Sequence, residues 1–291
     1  MSEVRRIGIV GCGQMGGGIA QTAAQQGFEV RVREAEQSLL NKGLGAIHDR
    51  LDKAVGKGKL EPAQRDAIRG RIRGTLALCD LADCDIVIEA ITENLAAKQA
   101  IFRELDGLCP PSTILASNTS SISITAMAAV TQRPDRFIGM HFFNPVPVMK
   151  LVEIVRTIDT SEETFQRVKA LGEALGKATV TAKDTPGFIC NLLLIPYILG
   201  AVRALDHGVA SARDIDTTMK LGCNHPMGPL ELADFVGLDT CLYIADVMFE
   251  AFKDGAYAAP PLLRNMVTAG RLGVKSGRGF LVAAQPDHGR S

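Results

Sequence analysis

The sequence predicts an α/β chain, with a doubly wound parallel sheet over residues 1–184 and a helical domain over 185–291. Three observations carry that expectation. Short apolar runs alternate with helix-like stretches through the first half, and a glycine-rich turn joins the first strand to the first helix. After Lys183-Asp184-Thr185-Pro186-Gly187 the strand signals stop. Strand, helix, strand in repetition requires parallel strands with crossover helices. Hydrophobic residues make up 46% and charged residues 22%, enough apolar material to cover both faces of such a sheet.

Taken in order, the first strand is 7–10, followed by a helix to about Gln26 that Gly27 stops, and a second strand at 28–32. A helical hairpin is expected near 45–73. Further strands are expected at 75–78, 85–91, 113–116, 137–142, 151–155 and 179–182. The runs at 7–10, 85–91 and 113–116 are nearly continuous in apolar residues, as strands covered on both faces require. From Phe188 to about Leu272 the pattern is helical. Residues 189–205 are almost unbroken in apolar character, which predicts a helix buried on most sides and kinked at Pro196. The polar tail, 283–291, is expected to fray.

Lys plus Arg is 32 and Asp plus Glu is 32, so the net charge is zero. That argues against a nucleic-acid partner, where cationic side chains supply most of the affinity. No apolar run reaches the ~18 residues of a membrane span, and no signal-peptide pattern precedes the first strand, so a cytoplasmic location is expected. The seven cysteines (Cys12, Cys79, Cys84, Cys109, Cys190, Cys223, Cys241) are scattered and contain no CxxC pair. They read as reduced thiols, with no metal site.

Gly11-Cys12-Gly13-Gln14-Met15-Gly16 follows a strand and opens a helix, and Glu34 closes the next strand 18 residues after Gly16. The first glycine permits the tight turn, and the second lets the backbone approach a pyrophosphate. The third allows close helix–strand packing, while the helix N-terminus offers N–H groups to the anion. This is the Rossmann-type arrangement for a dinucleotide; its alternative is a glycine turn with no ligand. A carboxylate at Glu34 would bond the ribose hydroxyls and repel a 2′-phosphate, favouring NAD. Arg33 next to it leaves NADP open. Gly17 and Gly18 prolong the glycine run beyond what phosphate binding needs.

His141 ends an apolar strand at the edge where open α/β sheets place their ligands, and it titrates in the range needed to take a proton from an alcohol. Glu153, twelve residues on and in the next strand, would fix its tautomer and stabilise an imidazolium. The alternatives are a satisfied core histidine and a mere ion-pair partner.

Long strings extend these points: ASNTSS at 116–121, HFFNPVPVMKLVE at 141–153, DTPGF at 184–188, HPMGPLEL at 225–232 and KSGRGF at 275–280. On them the chain resembles the 3-hydroxyacyl-CoA dehydrogenase family over essentially its whole length. The resemblance implies an oxidoreductase catalysing reversible hydride transfer between NAD(H) and C3 of a short-chain acyl-CoA, acetoacetyl-CoA or 3-hydroxybutyryl-CoA. It makes His141 the acid–base with Glu153 orienting it. Ser120 would bond the substrate's 3-oxygen and Asn191 would support the bound substrate. Glu93, Lys98, Asn144 and Lys275 fall at positions that touch the dinucleotide. Lys57, with Lys53 one turn away, falls at a coenzyme A contact. A homodimer or higher homo-oligomer is implied as well.

Five Ser/Thr residues lie between 117 and 123. Motif register selects Ser120, the others being candidates to cap the following helix. Leu192 follows Asn191 where the family commonly has arginine. Lys98 and Lys275 have the alternative of solvated surface charges. Between 50 and 73, eight basic and three acidic residues give a net +5. That suits the phosphates of coenzyme A, with a solvated face as the alternative. A hydroxy-acid or sugar-acid dehydrogenase of the lambda-crystallin type is the other enzyme reading, and a small acid does not need the basic hairpin.

Overall fold

A computed structural model describes residues 4–282; the expectation of fraying at 283–291 lies outside the described residues. The chain divides into two compact units, Met1–Thr185 and Pro186–Ser291.

The first unit runs β1 (Arg6–Val10), α1 (Gln14–Gln25), β2 (Glu29–Arg33), α2 (Gln37–Gly56), α3 (Pro62–Gly70), β3 (Ile72–Thr75), β4 (Ile86–Glu89), α4 (Leu95–Leu108) and β5 (Ile114–Ser117). It continues through α5 (Ile124–Ala128), β6 (Phe137–Phe142), β7 (Leu151–Arg156), α6 (Glu162–Ala174) and β8 (Ala178–Lys183). The strands form one sheet in the order β3-β2-β1-β4-β5-β6-β7-β8. The strand order reverses beside β1, so the crevice for a ligand opens at the carboxyl ends of β1 and β4. Strands β4, β5 and β6 are buried at every residue, consistent with their continuous apolar sequence. Ile7, Ile9, Ile86 and Ile88 are fully buried, and Ile19 of α1 and Ile47 and Leu51 of α2 belong to the same core cluster. Each such side chain contributes about 1.5–3 kcal/mol by leaving water.

Two expectations need correction. The third strand is Ile72–Thr75 rather than 75–78, and Leu78–Leu81 forms a short 3-10 turn. This is the sheet's edge, exposed at Arg73 and Gly74, so it lacks the apolar run that marks a central strand. Nor is the sheet parallel throughout, because β7 runs antiparallel to β6. Only residues 143–150 join them, too few for a crossover helix, so the chain must turn back on itself.

The second unit packs α7 (Cys190–Asp206), α8 (Ala212–Gly222), α9 (Pro229–Val236), α10 (Leu238–Phe252) and α11 (Pro261–Thr268) around Ile195, Leu199, Leu230, Leu238, Met248 and Leu263. Helix α7 continues through Pro196. The expectation that it is buried on most sides does not hold. It buries a stripe including Ile195, Ile198, Leu199 and Val202, whereas Leu193 is 68% exposed. Apolar composition alone cannot say how many neighbours a helix has.

The strings HPMGPLEL and KSGRGF are built around two buried carboxylates. Asp216 accepts from the backbone N–H groups of Leu230 and Glu231, capping α9. Asp234 accepts from those of Phe280, Leu281 and Val282. No helix among the described residues is long and apolar enough to cross a membrane.

Candidate active site

The glycine loop leaves β1 at its carboxyl end. Gly11 has φ +97°, a left-handed backbone conformation that favours glycine. A Cβ at Gly16 would lie 1.9 Å from the Gly11 carbonyl oxygen, so only glycine allows α1 to sit this close to the turn. At Gly13, by contrast, a Cβ would meet nothing within 4 Å. The N-terminus of α1 has no side-chain cap and no acidic residue in its first turn. Uncapped N–H groups beside an open, side-chain-free approach fit the pyrophosphate of a dinucleotide.

Glu34 stands at the end of β2. Its Oε1 accepts from the Cys12 N–H at 2.5 Å and its Oε2 from that of Ala35 at 3.1 Å. Burial, reinforced by the Glu34 charge, pushes the Cys12 thiol up to about 11. Gln14 Nε2 donates to Asn144 Oδ1 at 3.0 Å, tying the loop to the segment after β6. Met15 packs against the core cluster. A Cβ at Gly18 would be 3.0 Å from Val146 Cβ, so the glycine run continues because the β6–β7 connection lies against α1. Lys177 Nζ holds that connection by donating to the carbonyls of Val146 and Met149, at 2.6 and 2.8 Å.

His141 lies one residue before the end of β6, directly opposite Glu153 in the antiparallel ladder. Their side chains meet at 2.6 Å, His141 Nδ1 to Glu153 Oε2, with His141 7% and Glu153 1% exposed. An ionised carboxylate only accepts, so this contact places the ring proton on Nδ1 and the basic lone pair on Nε2. Asn118, at the end of β5, accepts from the Phe142 N–H through Oδ1 at 2.9 Å and fixes the strand end next to the histidine.

The Ser/Thr cluster divides its work. Only Ser123 caps α5 with its hydroxyl, which accepts from the Ala126 N–H, and Asp184 reinforces that helix end from the DTPGF string. Ser117 Oγ donates to Glu89 Oε2 at 2.6 Å. Thr119 Oγ1 donates to Glu93, and Ser120 donates to Glu93 Oε1 from both its N–H (2.7 Å) and its Oγ (3.2 Å). Lys98 is no solvated surface charge: its side chain is 1% exposed and its Nζ lies 2.6 Å from Glu89 and 3.3 Å from Glu93. Sequence reasoning missed Glu89, a carboxylate closing an apolar strand, which reads equally well as a solvated strand end.

The basic hairpin is less open than its +5 implies. Arg50 donates inward to Gln21 and the Gly17 carbonyl. Arg65 and Arg69 pair with Asp52, and Arg71 donates to the Ala24 carbonyl. Lys53 and Lys57 remain exposed at the carboxyl end of α2. In the second unit, Asn191 is buried in the first turn of α7. Lys275 sits there in a short 3-10 turn and pairs with Asp239. None of the seven cysteines is bridged.

With this geometry in place, comparisons with known proteins agree along the whole chain. Residues 6–185 match the family pattern described as 3-hydroxyacyl-CoA dehydrogenase, NAD binding domain, and residues 187–283 match its C-terminal domain. The chain is 49% identical over 279 residues to a 3-hydroxybutyryl-CoA dehydrogenase of Mycobacterium tuberculosis, covering 95% of this chain and 98% of that protein. It is 47% identical over 277 residues to one from Bradyrhizobium diazoefficiens, covering 95% and 94%. Among solved structures it superposes on (S)-3-hydroxybutyryl-CoA dehydrogenase PaaH1 of Ralstonia eutropha with a TM-score of 0.94, at 48% identity over 97% of this chain and 100% of the other.

Proposed function

The chain belongs to the 3-hydroxyacyl-CoA dehydrogenase family, and on that premise we propose that it interconverts 3-hydroxybutyryl-CoA and acetoacetyl-CoA with His141 as the acid–base. The observation that carries this reading is the 2.6 Å contact of His141 with Glu153 at the carboxyl edge of an NAD-binding sheet. The glycine loop and Glu34 would hold NAD, which when bound would supply the hydride acceptor for C3 in oxidation and, as NADH, the hydride donor in reduction.

His141 Nε2 takes the proton of the 3-hydroxyl in oxidation and gives it back in reduction. Glu153 holds Nδ1 and stabilises the imidazolium formed between the two. The Ser120 hydroxyl bonds the 3-oxygen, and Asn191 supports the bound substrate. The glycine loop, Gly11 to Gly16, receives the cofactor's pyrophosphate and Glu34 its ribose. Glu93, Lys98, Asn144 and Lys275 serve the nicotinamide half. Lys53 and Lys57, flexible cations on an exposed helix end, pair with the coenzyme A phosphates. The chain works in the cytoplasm as a homo-oligomer.

Mixing the protein with NADH and acetoacetyl-CoA should consume absorbance at 340 nm. Turnover of a hydroxy acid or sugar acid without turnover of the thioester would replace the proposal with the lambda-crystallin type. Repeating the assay with NADPH sets the cofactor preference.

A further inference from the structure

Period-two alternation at the end of β6 sends His141 and Phe142 to opposite faces of the sheet. Carried one residue past the strand, it brings Phe143 back to the histidine's side. Phe142 accordingly lies in the core, 2% exposed. Phe143 is half-buried, and its ring centroid stands 4.7 Å from that of His141, with the two planes tilted by 50°. That spacing and tilt belong to the inclined arrangements that aromatic rings prefer over a flat sandwich.

The chain on either side of Phe143 is held independently of its ring. The Phe142 N–H donates to Asn118 Oδ1 at 2.9 Å, and Asn144 Oδ1 accepts from Gln14 Nε2 at 3.0 Å. Lys177 Nζ ties down the carbonyls of Val146 and Met149 further on. The phenyl group is thus delivered to the imidazole by a backbone that does not depend on it. His141 meets Glu153 through Nδ1. A hydrogen bond through one ring atom fixes a point and not a plane, because the ring can still swing about it. A rigid side chain packed against the imidazole limits that swing, and with it the direction in which Nε2 points. Direction matters as much as distance here, since a hydrogen bond weakens steeply as donor, hydrogen and acceptor leave a line.

We propose that Phe143 is a positioning residue: its ring fixes the plane of the His141 imidazole, so that Nε2 faces the substrate's 3-hydroxyl. This rests on the acid–base role given to His141 above. Phe143 then acts only through His141, and its loss matters only while the imidazole is present.

The test is a double-mutant cycle on the full chain, reducing acetoacetyl-CoA, with kcat, KM and the NADH dissociation constant as readouts. Phe143→Ala should lower kcat by about tenfold to a hundredfold, the scale of a misaligned reacting group, with NADH binding unchanged. Phe143→Tyr, which keeps the ring, should retain a near-wild-type kcat. In a His141→Gln background, Phe143→Ala should lower kcat no further. Multiplicative losses, an equal loss in Phe143→Tyr, or an intact kcat in Phe143→Ala would each overturn the proposal, as would weaker NADH binding at unchanged kcat. If His141→Gln alone leaves kcat intact, the acid–base reading fails first and the proposal with it. Should Phe143→Ala not fold, Phe143→Leu, apolar but without a ring plane, enters the same cycle with the same expected non-additivity.

Discussion

His141 and Glu153 face each other across one rung of an antiparallel ladder, the only antiparallel pairing among the described strands of the sheet. On adjacent strands, directly opposed residues project to the same face with their Cβ atoms about 4.5–5.5 Å apart. The reversal of β7 therefore builds the contact. A parallel β7 would have needed a crossover, and twelve residues of separation could not have supplied one.

That contact sets the first prediction. His141→Gln removes the proton acceptor and should lower kcat by roughly 10²–10⁴, with the NADH dissociation constant unchanged. Glu153→Gln keeps a side chain of the same shape but loses the charge that stabilises an imidazolium, so kcat should fall there too, by a smaller factor. Steady-state kinetics beside cofactor titration would check both. Near-full activity in His141→Gln would remove the residue from the mechanism.

The sheet was legible in the sequence wherever burial on both faces wrote a continuous apolar run, as in β4, β5 and β6. It was not legible where direction depended on a connection, as for β7, nor at the edge, where Ile72–Thr75 is half polar. His141 and Glu153 could be picked out because their residue types carry the chemistry by themselves. Glu89 could not, because a charged strand end reads as surface, and Lys98 is singled out by resemblance alone, its residue type reading equally as a surface charge. The short connection from β4 into α4 brings the two together, and no spacing rule encodes that pairing. The +5 of the hairpin was misleading in a related way. Composition counts charges, while the fold turns Arg50 and Arg71 inward and pairs Arg65 and Arg69 with Asp52.

What remains of that charge makes the second prediction. Lys57 caps the carboxyl end of α2 with its backbone and leaves its side chain exposed. Lys57→Ala should raise KM for acetoacetyl-CoA several-fold, within the ~1 kcal/mol expected of one exposed ion pair, and leave NADH affinity alone. The increase should shrink as salt rises, because exposed charges are screened. Equal effects on both ligands would place Lys57 outside the coenzyme site.

The thiols give the third. Burial pushes Cys12 up to about 11 and Cys84 and Cys241 up to about 12, and it raises Cys109 as well. The sign is plain: at pH 8 these four stay protonated, and the thiolate is the reactive form. Cys79 and Cys223 are exposed. A disulfide-exchange reagent at pH 8 should therefore label those two first and reach the buried four only on unfolding. Rapid labelling of Cys12 in the native protein would contradict its buried place in the loop.

The glycine loop separates two effects that substitutions there usually mix. Gly13 and Gly16 belong to one motif, yet a Cβ at Gly13 meets nothing within 4 Å and one at Gly16 collides with the Gly11 carbonyl at 1.9 Å. Gly16→Ala must push α1 off the turn, a backbone clash at the upper end of the ~1–3 kcal/mol usual for overpacking. Gly13→Ala costs the fold little, since the new methyl enters open space. That space, however, is the approach to the uncapped first turn of α1, where a pyrophosphate needs the bare backbone. Thermal unfolding and NADH titration together distinguish the two variants. Gly16→Ala should lower Tm, by several degrees at about 2–4 °C per kcal/mol. Gly13→Ala should keep the wild-type Tm while binding NADH at least tenfold more weakly, about 1.4 kcal/mol. A Gly13→Ala protein that binds NADH normally would mean that the cofactor does not enter over this turn.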